Sequence, residues 1–231
     1  MAFYRKRAPT YDEWWQRRGR YDLGRAHTAE WESEVAELVR ILGEFRPEGN
    51  VLELAGGTGW WTEQLARTAE RLTVVDTSPE VLEINRRRVR RDDVVYAQRD
   101  VFSWEPSLAH RYDVVFFSFW LSHVPTPRFP AFWELVERCL APHGRAFFID
   151  SGTDPADTGR DPYVVDEALG VQRRRVGDGS EHRVVKLFYQ SDELAGSLHD
   201  LGWEAHVGST PRFFIHGWAR PARGIEEPSR P

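Results

Sequence analysis

The stretch Asn50-Val51-Leu52-Glu53-Leu54-Ala55-Gly56-Gly57-Thr58-Gly59 decides how this chain is read. Asn50–Ala55 is an apolar run of buried-strand length, and it breaks off in glycines. Residues without a Cβ let the backbone double back tightly and present N–H groups to a ligand. Beyond the turn, Thr62–Glu70 reads as a helix. Working outward, Leu72–Asp76 is a second strand, and Ser78 is placed to cap a helix over Pro79–Arg90. Val94–Arg99 is a third strand, Tyr112–Phe117 a fourth, Phe129–Leu140 a helix and Gly144–Asp150 a fifth strand. Strands alternating with helices at this spacing predict an α/β fold, a parallel sheet with helices on both faces.

The pattern changes after Asp150. Ser151–Asp161 is rich in Asp, Gly and Pro and reads as a loop. Val171–Val176 and His182–Tyr189 flank Gly177-Asp178-Gly179-Ser180, a hairpin turn. Ser191–Leu201 is a helix capped by Ser191, with Leu194, Leu198 and Leu201 on one face and Gly202 as its stop. Trp203–Val207 and Arg212–Trp218 are two final strands. The division that follows is a helical N-terminal cap over 1–45, a main domain over 46–220 with a hairpin insert at 170–189, and a Pro- and charge-rich disordered tail over 221–231.

Composition narrows the function. The chain has 231 residues, is 41% hydrophobic and 29% charged, and carries a net charge of −5, which argues against a nucleic-acid coat as its main task. No apolar run reaches the roughly 20 residues of a membrane helix, and the start is polar rather than a signal peptide. A single cysteine, Cys139, excludes an intramolecular disulfide and a cysteine-cluster zinc site, and suits a reducing cytoplasmic setting. The cluster Arg86, Arg87, Arg88, Arg90 and Arg91 falls at a helix end, where cations complement the dipole; a phosphate-binding patch is the other reading.

The glycine turn suits two ligands, a dinucleotide or S-adenosylmethionine. A dinucleotide site needs a third glycine at the helix start, where this chain has Thr62. A carboxylate within the strand, Glu53, repels a pyrophosphate but suits the ammonium or sulfonium of S-adenosylmethionine. Asp76, followed by Thr77, ends the second strand, where a carboxylate can accept both ribose hydroxyls. Asp100 ends the third, where it can accept the adenine amino group beside Val101 and Phe102. Three acids on three successive strand ends describe a ligand-binding edge.

In this order the glycine motif, Asp76, Asp100-Val101 and the strands Tyr112–Phe117 and Gly144–Asp150 resemble the class I S-adenosylmethionine-dependent methyltransferase family. The helix–strand–strand Ser191–Trp218 resembles that family's closing hairpin. The resemblance implies a Rossmann-like, seven-stranded, mostly parallel sheet with the last strand antiparallel. It also implies that Ala55, Gly56, Gly57 and Gly59 cradle the cofactor, with Ala55 standing where the family has its first glycine. In similar enzymes the N-terminal segment closes over the cofactor, which draws in Tyr11 as a contact and Trp14 and Trp15 as pocket walls.

Methyl transfer from an activated donor leaves the protein to align the reactants, exclude water and take a proton from a hydroxyl or ammonium acceptor. Ser118-Phe119-Trp120-Leu121-Ser122-His123, after the fourth strand, is expected over the cofactor's methionine end. Ser118 and Phe119 fall on the cofactor side, Trp120 and His123 on the acceptor side. His123 reads either as the base or as a packed residue shaping the pocket. Asp150, Asp154, Asp157 and Asp161 are turn formers in a Gly/Pro loop, and no metal is expected. The insert, with Arg173, Arg174 and Arg175, reads as a lid, a homodimer contact or an exposed ribbon. The expected function is methyl transfer to an oxygen or nitrogen of a small apolar or aromatic acceptor, with no membrane or nucleic-acid partner. A tRNA or protein methyltransferase, or a non-catalytic cofactor-binding protein, are the alternatives.

Overall fold

A computed structural model describes residues 11–106, 111–152, 164–166, 170–175 and 181–222. Strand β1 (Gly49–Leu54) lies inside a seven-stranded sheet and pairs in parallel with both β2 (Ala69–Asp76) and β4 (Tyr112–Ser118). Outside β2 lies β3 (Val95–Gln98), and outside β4 lies β5 (Leu140–Ser151). The last strand, β10 (Phe214–Pro221), runs antiparallel between β5 and β9 (Trp203–Ser209). The chain leaves β1 toward β2 on one side, and β4 lies on the other. That reversal of strand order opens a crevice at the carboxyl ends of β1 and β4.

Alternation along the strands builds two cores. Val51, Val74, Val114, Phe116 and Phe147 face one side. They pack with α2 (Arg25–Phe45), α3 (Trp60–Leu65) and Leu82 of α4 (Pro79–Val89). Leu52, Leu54, Val75, Val115, Phe117 and Phe148 face the other, under α5 (Phe129–Cys139) and α6 (Ser191–Asp200). A short α1 (Tyr11–Trp15) joins the first core through Trp14 and Trp15.

Several local expectations are met. The Ser78 hydroxyl accepts from the Val81 N–H at 3.3 Å and caps α4, and Gly202, at φ 81°, follows α6. Others are corrected. Helix α3 ends at Leu65 rather than Glu70, and β2 already begins at Ala69. Arg91 explains the early stop, because its guanidinium donates to the carbonyls of Ala66, Ala69 and Glu70 and holds the chain in a turn. Helix α6 is capped at Gln190, not Ser191, which is its first residue. Leu194 and Leu198 are buried, but Leu201 turns outward at 37% exposed. The insert is more than a hairpin: β6 (Val164–Asp166), β7 (Val171–Arg175) and β8 (Glu181–Val185) form a separate antiparallel sheet. The turn at 177–180, the acids at 154, 157 and 161, and the tail from 223 onward lie outside the described residues.

Candidate active site

The glycine turn is built as its sequence demands. Gly57 and Gly59 take φ of 56° and 91°, and Ala55 adopts 54°. For a residue with a Cβ this left-handed conformation costs about 1–2 kcal/mol, so the alanine keeps the turn at the expense of strain. The loop is also packed from beneath. A Cβ on Gly56 would stand 2.4 Å from the Val74 side chain, and one on Gly59 would stand 2.7 Å from that of Asn85. The Asn85 amide donates to the Gly56 and Gly57 carbonyls and to the Thr62 hydroxyl, while its own oxygen accepts from Tyr96.

Glu53 corrects an expectation. Rather than facing the ligand's cation, it lies beneath the loop, 1% exposed, and accepts a 2.5 Å hydrogen bond from Thr62. Its second oxygen has no hydrogen-bond partner. Burial, with the neighbouring charge of Asp76 adding to it and the Thr62 bond opposing it, pushes its carboxyl up to about 8. At neutral pH it is a protonated brace under the turn.

Asp76 stands where the edge needs it. Its two oxygens accept from the Gly57 N–H at 3.1 Å and the Ser78 N–H at 3.0 Å. Burial raises its carboxyl, and bonds from the backbone of residues 78, 57 and 77 pull it back down. Between the ends of β2 and β3 lies a cleft of about 350 Å³ lined by Thr77, Ser78, Glu80, Gln98 and Asp100. Asp100 accepts from the Phe102 N–H and turns the chain there, and Val101 is buried beside it.

The loop after β4 turns sharply at Phe119, whose φ is 51° and whose N–H donates to the Ile149 carbonyl. A bulky residue held there is strained. The kink splits the expected pocket aromatics between the two faces of the sheet. Phe119 packs edge-on against Trp14 and Trp15 at 4.8 and 5.2 Å, in the core that Trp31 and Phe214 share. Trp120 goes to the other face and meets Phe102 at 5.4 Å, beside Asp100. Trp14 and Trp15 are therefore buried in the first core, while Trp120 packs on the opposite face of the sheet. Helix α1 is tied over the glycine turn by Asp12, which accepts from Thr58 at 2.8 Å and pairs with Arg88. Nothing is described of the Tyr11 side chain.

Ser118 ends β4, and His123 closes a 3-10 turn at Leu121–His123, half-buried, with Nδ1 2.5 Å from the Val185 carbonyl. Residues 51–144 match the family described as "Methyltransferase domain". A structure of DhpI with SAH is 34% identical over 96% of this chain and 95% of that one, with a TM-score of 0.77. The chain belongs to the class I S-adenosylmethionine-dependent methyltransferases. A complex of DhpI with SAM and HEP is 33% identical over 95% of each chain, with a TM-score of 0.76. The glycopeptide N-methyltransferase MtfA bound to S-adenosylhomocysteine is 17% identical over 80% of this chain and 86% of that one, TM-score 0.58, and shares the fold. No curated protein matches by sequence.

The residues of this methyltransferase fit its cofactor. A glycine cradle with no room for a side chain at Gly56 or Gly59 meets a strand-end carboxylate and a cleft lined by a second carboxylate. What sequence reasoning missed lies at the other end of the crevice. Lys186, buried at the end of the insert, reaches Asp150, Ser122 and Ser151. Lys6 and Lys186 are the lysines of an otherwise arginine-using chain, and Lys186 interrupts the apolar run Val184–Phe188. That interruption was the available signal, since a charge in an apolar strand calls for a buried partner.

Proposed function

We propose that this chain methylates an oxygen or nitrogen of a small, apolar or aromatic acceptor, with His123 as the group that takes the acceptor's proton. The observation that carries this reading is the placement of His123 on the turn directly after β4, at the edge that holds the glycine cradle and Asp76. When bound, the cofactor supplies a methyl group already activated by its sulfonium. Asp76 and Asp100 would hold the nucleoside, and the Ala55–Gly59 backbone would cradle the methionine moiety. The cap and the Phe119 cluster would exclude water from one side of the crevice, and Trp120 with Phe102 would wall the other. A neutral imidazole whose Nδ1 faces a carbonyl keeps its proton on that nitrogen, so its lone pair sits on Nε2.

The DhpI complex names a third component, HEP, beside SAM, which supports a site that also admits an acceptor. A tRNA or protein acceptor is less well supported, because arginines of the cluster at the end of α4 are engaged locally. Arg86 and Arg87 pair with Glu83, Arg88 with Asp12, and Arg91 holds the end of α3. We place the enzyme in the cytoplasm on its single buried thiol, Cys139. Among the described residues, no helix is long and apolar enough to cross a membrane.

The test is S-adenosylhomocysteine release across a panel of small hydroxylated and amino acceptors, with bulk tRNA and protein as competitors. Release with tRNA or protein and with no small molecule would overturn the acceptor class. His123→Ala is expected to lower turnover by about 10²- to 10⁴-fold, the usual contribution of a general base, while cofactor affinity is retained. Near wild-type turnover at saturating acceptor would remove His123 from the chemistry.

A further inference from the structure

We propose that Lys186 is a positioning residue for the transfer step: with Asp150 it clamps the insert onto the turn that carries His123, and so fixes which imidazole nitrogen carries the proton. This rests on the reading of His123 as the base.

The clamp is a buried polar cluster. The Lys186 side chain is 5% exposed and that of Asp150 1%, and Nζ stands 3.3 Å from Asp150 Oδ1. The hydroxyls of Ser122 and Ser151 each lie 2.9 Å from Nζ, so three acceptors surround the ammonium. Asp150 is itself satisfied by the backbone. Its Oδ2 accepts from the Ser122 N–H at 2.8 Å, and its Oδ1 from the Ser151 N–H at 2.7 Å. Ser122 therefore meets the pair twice, through its N–H and its hydroxyl, and His123 is the next residue.

Main-chain bonds extend the clamp to the imidazole. The Leu187 N–H donates to the Ser122 carbonyl at 2.8 Å, and the Lys186 N–H to the Gly170 carbonyl at 2.8 Å, which ties the segment after β8 to both the turn and its own sheet. Val185, the last residue of β8 and the neighbour of the lysine, offers its carbonyl to His123 Nδ1. A carbonyl can only accept, so Val185 selects the tautomer with the proton on Nδ1 and the lone pair on Nε2. The Val185 carbonyl is held in place by the residue that follows it.

Burying two charges costs desolvation that a well-packed apolar pair would avoid. The bonds show what that cost secures here, a fixed orientation of residues 122 and 123. Orientation and tautomer of a catalytic imidazole, set by a buried partner, are worth several orders of magnitude in rate where this has been dissected. Lys186 acts through a carbonyl, so a smaller share is expected of it.

The test uses the full chain with its histidines labelled with ¹⁵N. Lys186→Met alone strands a buried carboxylate, so the informative variant is the pair Lys186→Met with Asp150→Asn, which removes both charges together. In the wild type, the neutral His123 ring is expected to carry its proton on Nδ1. In the double variant the two tautomers should mix, with S-adenosylhomocysteine affinity changed less than about threefold by calorimetry and a cooperative melt retained. With the acceptor found in the panel above, kcat should fall by about tenfold or more while KM moves little. A wild-type ring protonated on Nε2, or an unchanged tautomer in the double variant, would overturn the proposal. If the double variant does not fold, Ser122→Ala, which removes one of the lysine's acceptors, is read by the same resonances, and an unchanged tautomer there overturns it too. A shifted tautomer with unchanged turnover would leave the clamp standing and instead remove His123 as the base.

Discussion

At the scale of single residues, the two carboxylates near the glycine turn divide labour by environment. Glu53 holds its proton in the folded state up to about 8 because burial penalises the anion, whereas in the unfolded chain it ionises near 4.5. Between those values the folded state binds more protons than the unfolded one, so this group's contribution to stability falls as pH rises. Melting temperatures are expected to drop from pH 5 to pH 8 in the wild type and to drop less in Glu53→Gln, which keeps a neutral side chain at the same place. Equal slopes in the two proteins would show that Glu53 is ionised in the fold. Asp76 sits at the open edge and spans Gly57 and Ser78. Asp76→Ala is expected to weaken S-adenosylmethionine binding about 10- to 150-fold, since hydrogen bonds to a charged group contribute about 1.5–3 kcal/mol. Calorimetry checks it, and an unchanged dissociation constant would mean the ribose is held elsewhere.

At the scale of elements, helix α6 shows how far periodicity reaches. Leu194, Leu198 and Leu201 fall at helical spacing, and all three read as one buried face. The helix ends at Asp200, and Gly202, at φ 81°, turns the chain toward β9. Leu201 therefore leaves the helical path and faces solvent. Leu198→Ala, at a site with 0% exposure, is expected to cost about 2–5 kcal/mol, as buried leucine truncations do. Leu201→Ala should stay within about 0.5 kcal/mol of wild type. Urea unfolding of the two variants separates them, and equal losses would put Leu201 back in the core. The loop after β4 makes the same point through strain. Phe119 at positive φ sends its own ring to one face and Trp120 to the other, which alternation alone cannot foretell.

At the scale of the whole molecule, binding at the carboxyl edge couples to the entire fold. A ligand that binds only the native state at 100 times its dissociation constant adds about 2.7 kcal/mol of stability. S-adenosylmethionine and S-adenosylhomocysteine are expected to raise the melting temperature accordingly, while NADH leaves it unchanged, because the turn lacks the third glycine that a pyrophosphate needs. Chelation with EDTA should leave both the shift and turnover unaltered. Stabilisation by NADH alone, or activity lost to EDTA and restored by magnesium, would overturn this.

Short-range physics made part of this protein legible in its sequence. A strand broken by glycines, a serine before Pro79 and apolar runs of fixed length depend on neighbours a few residues away. They determined the α/β class, the order of the main-sheet strands along the chain, and Asp76 and Asp100 at their ends. Tertiary structure alone decided whatever depends on desolvation and distant partners. Glu53 became a neutral brace because the loop closes over it. Lys186 met Asp150 across 36 residues, and the imidazole of His123 met a carbonyl 62 residues away. A carboxylate, a lysine and a histidine have the same letters whether exposed or buried. Their charge, partner and tautomer are set by the dielectric and the neighbours that folding brings to them.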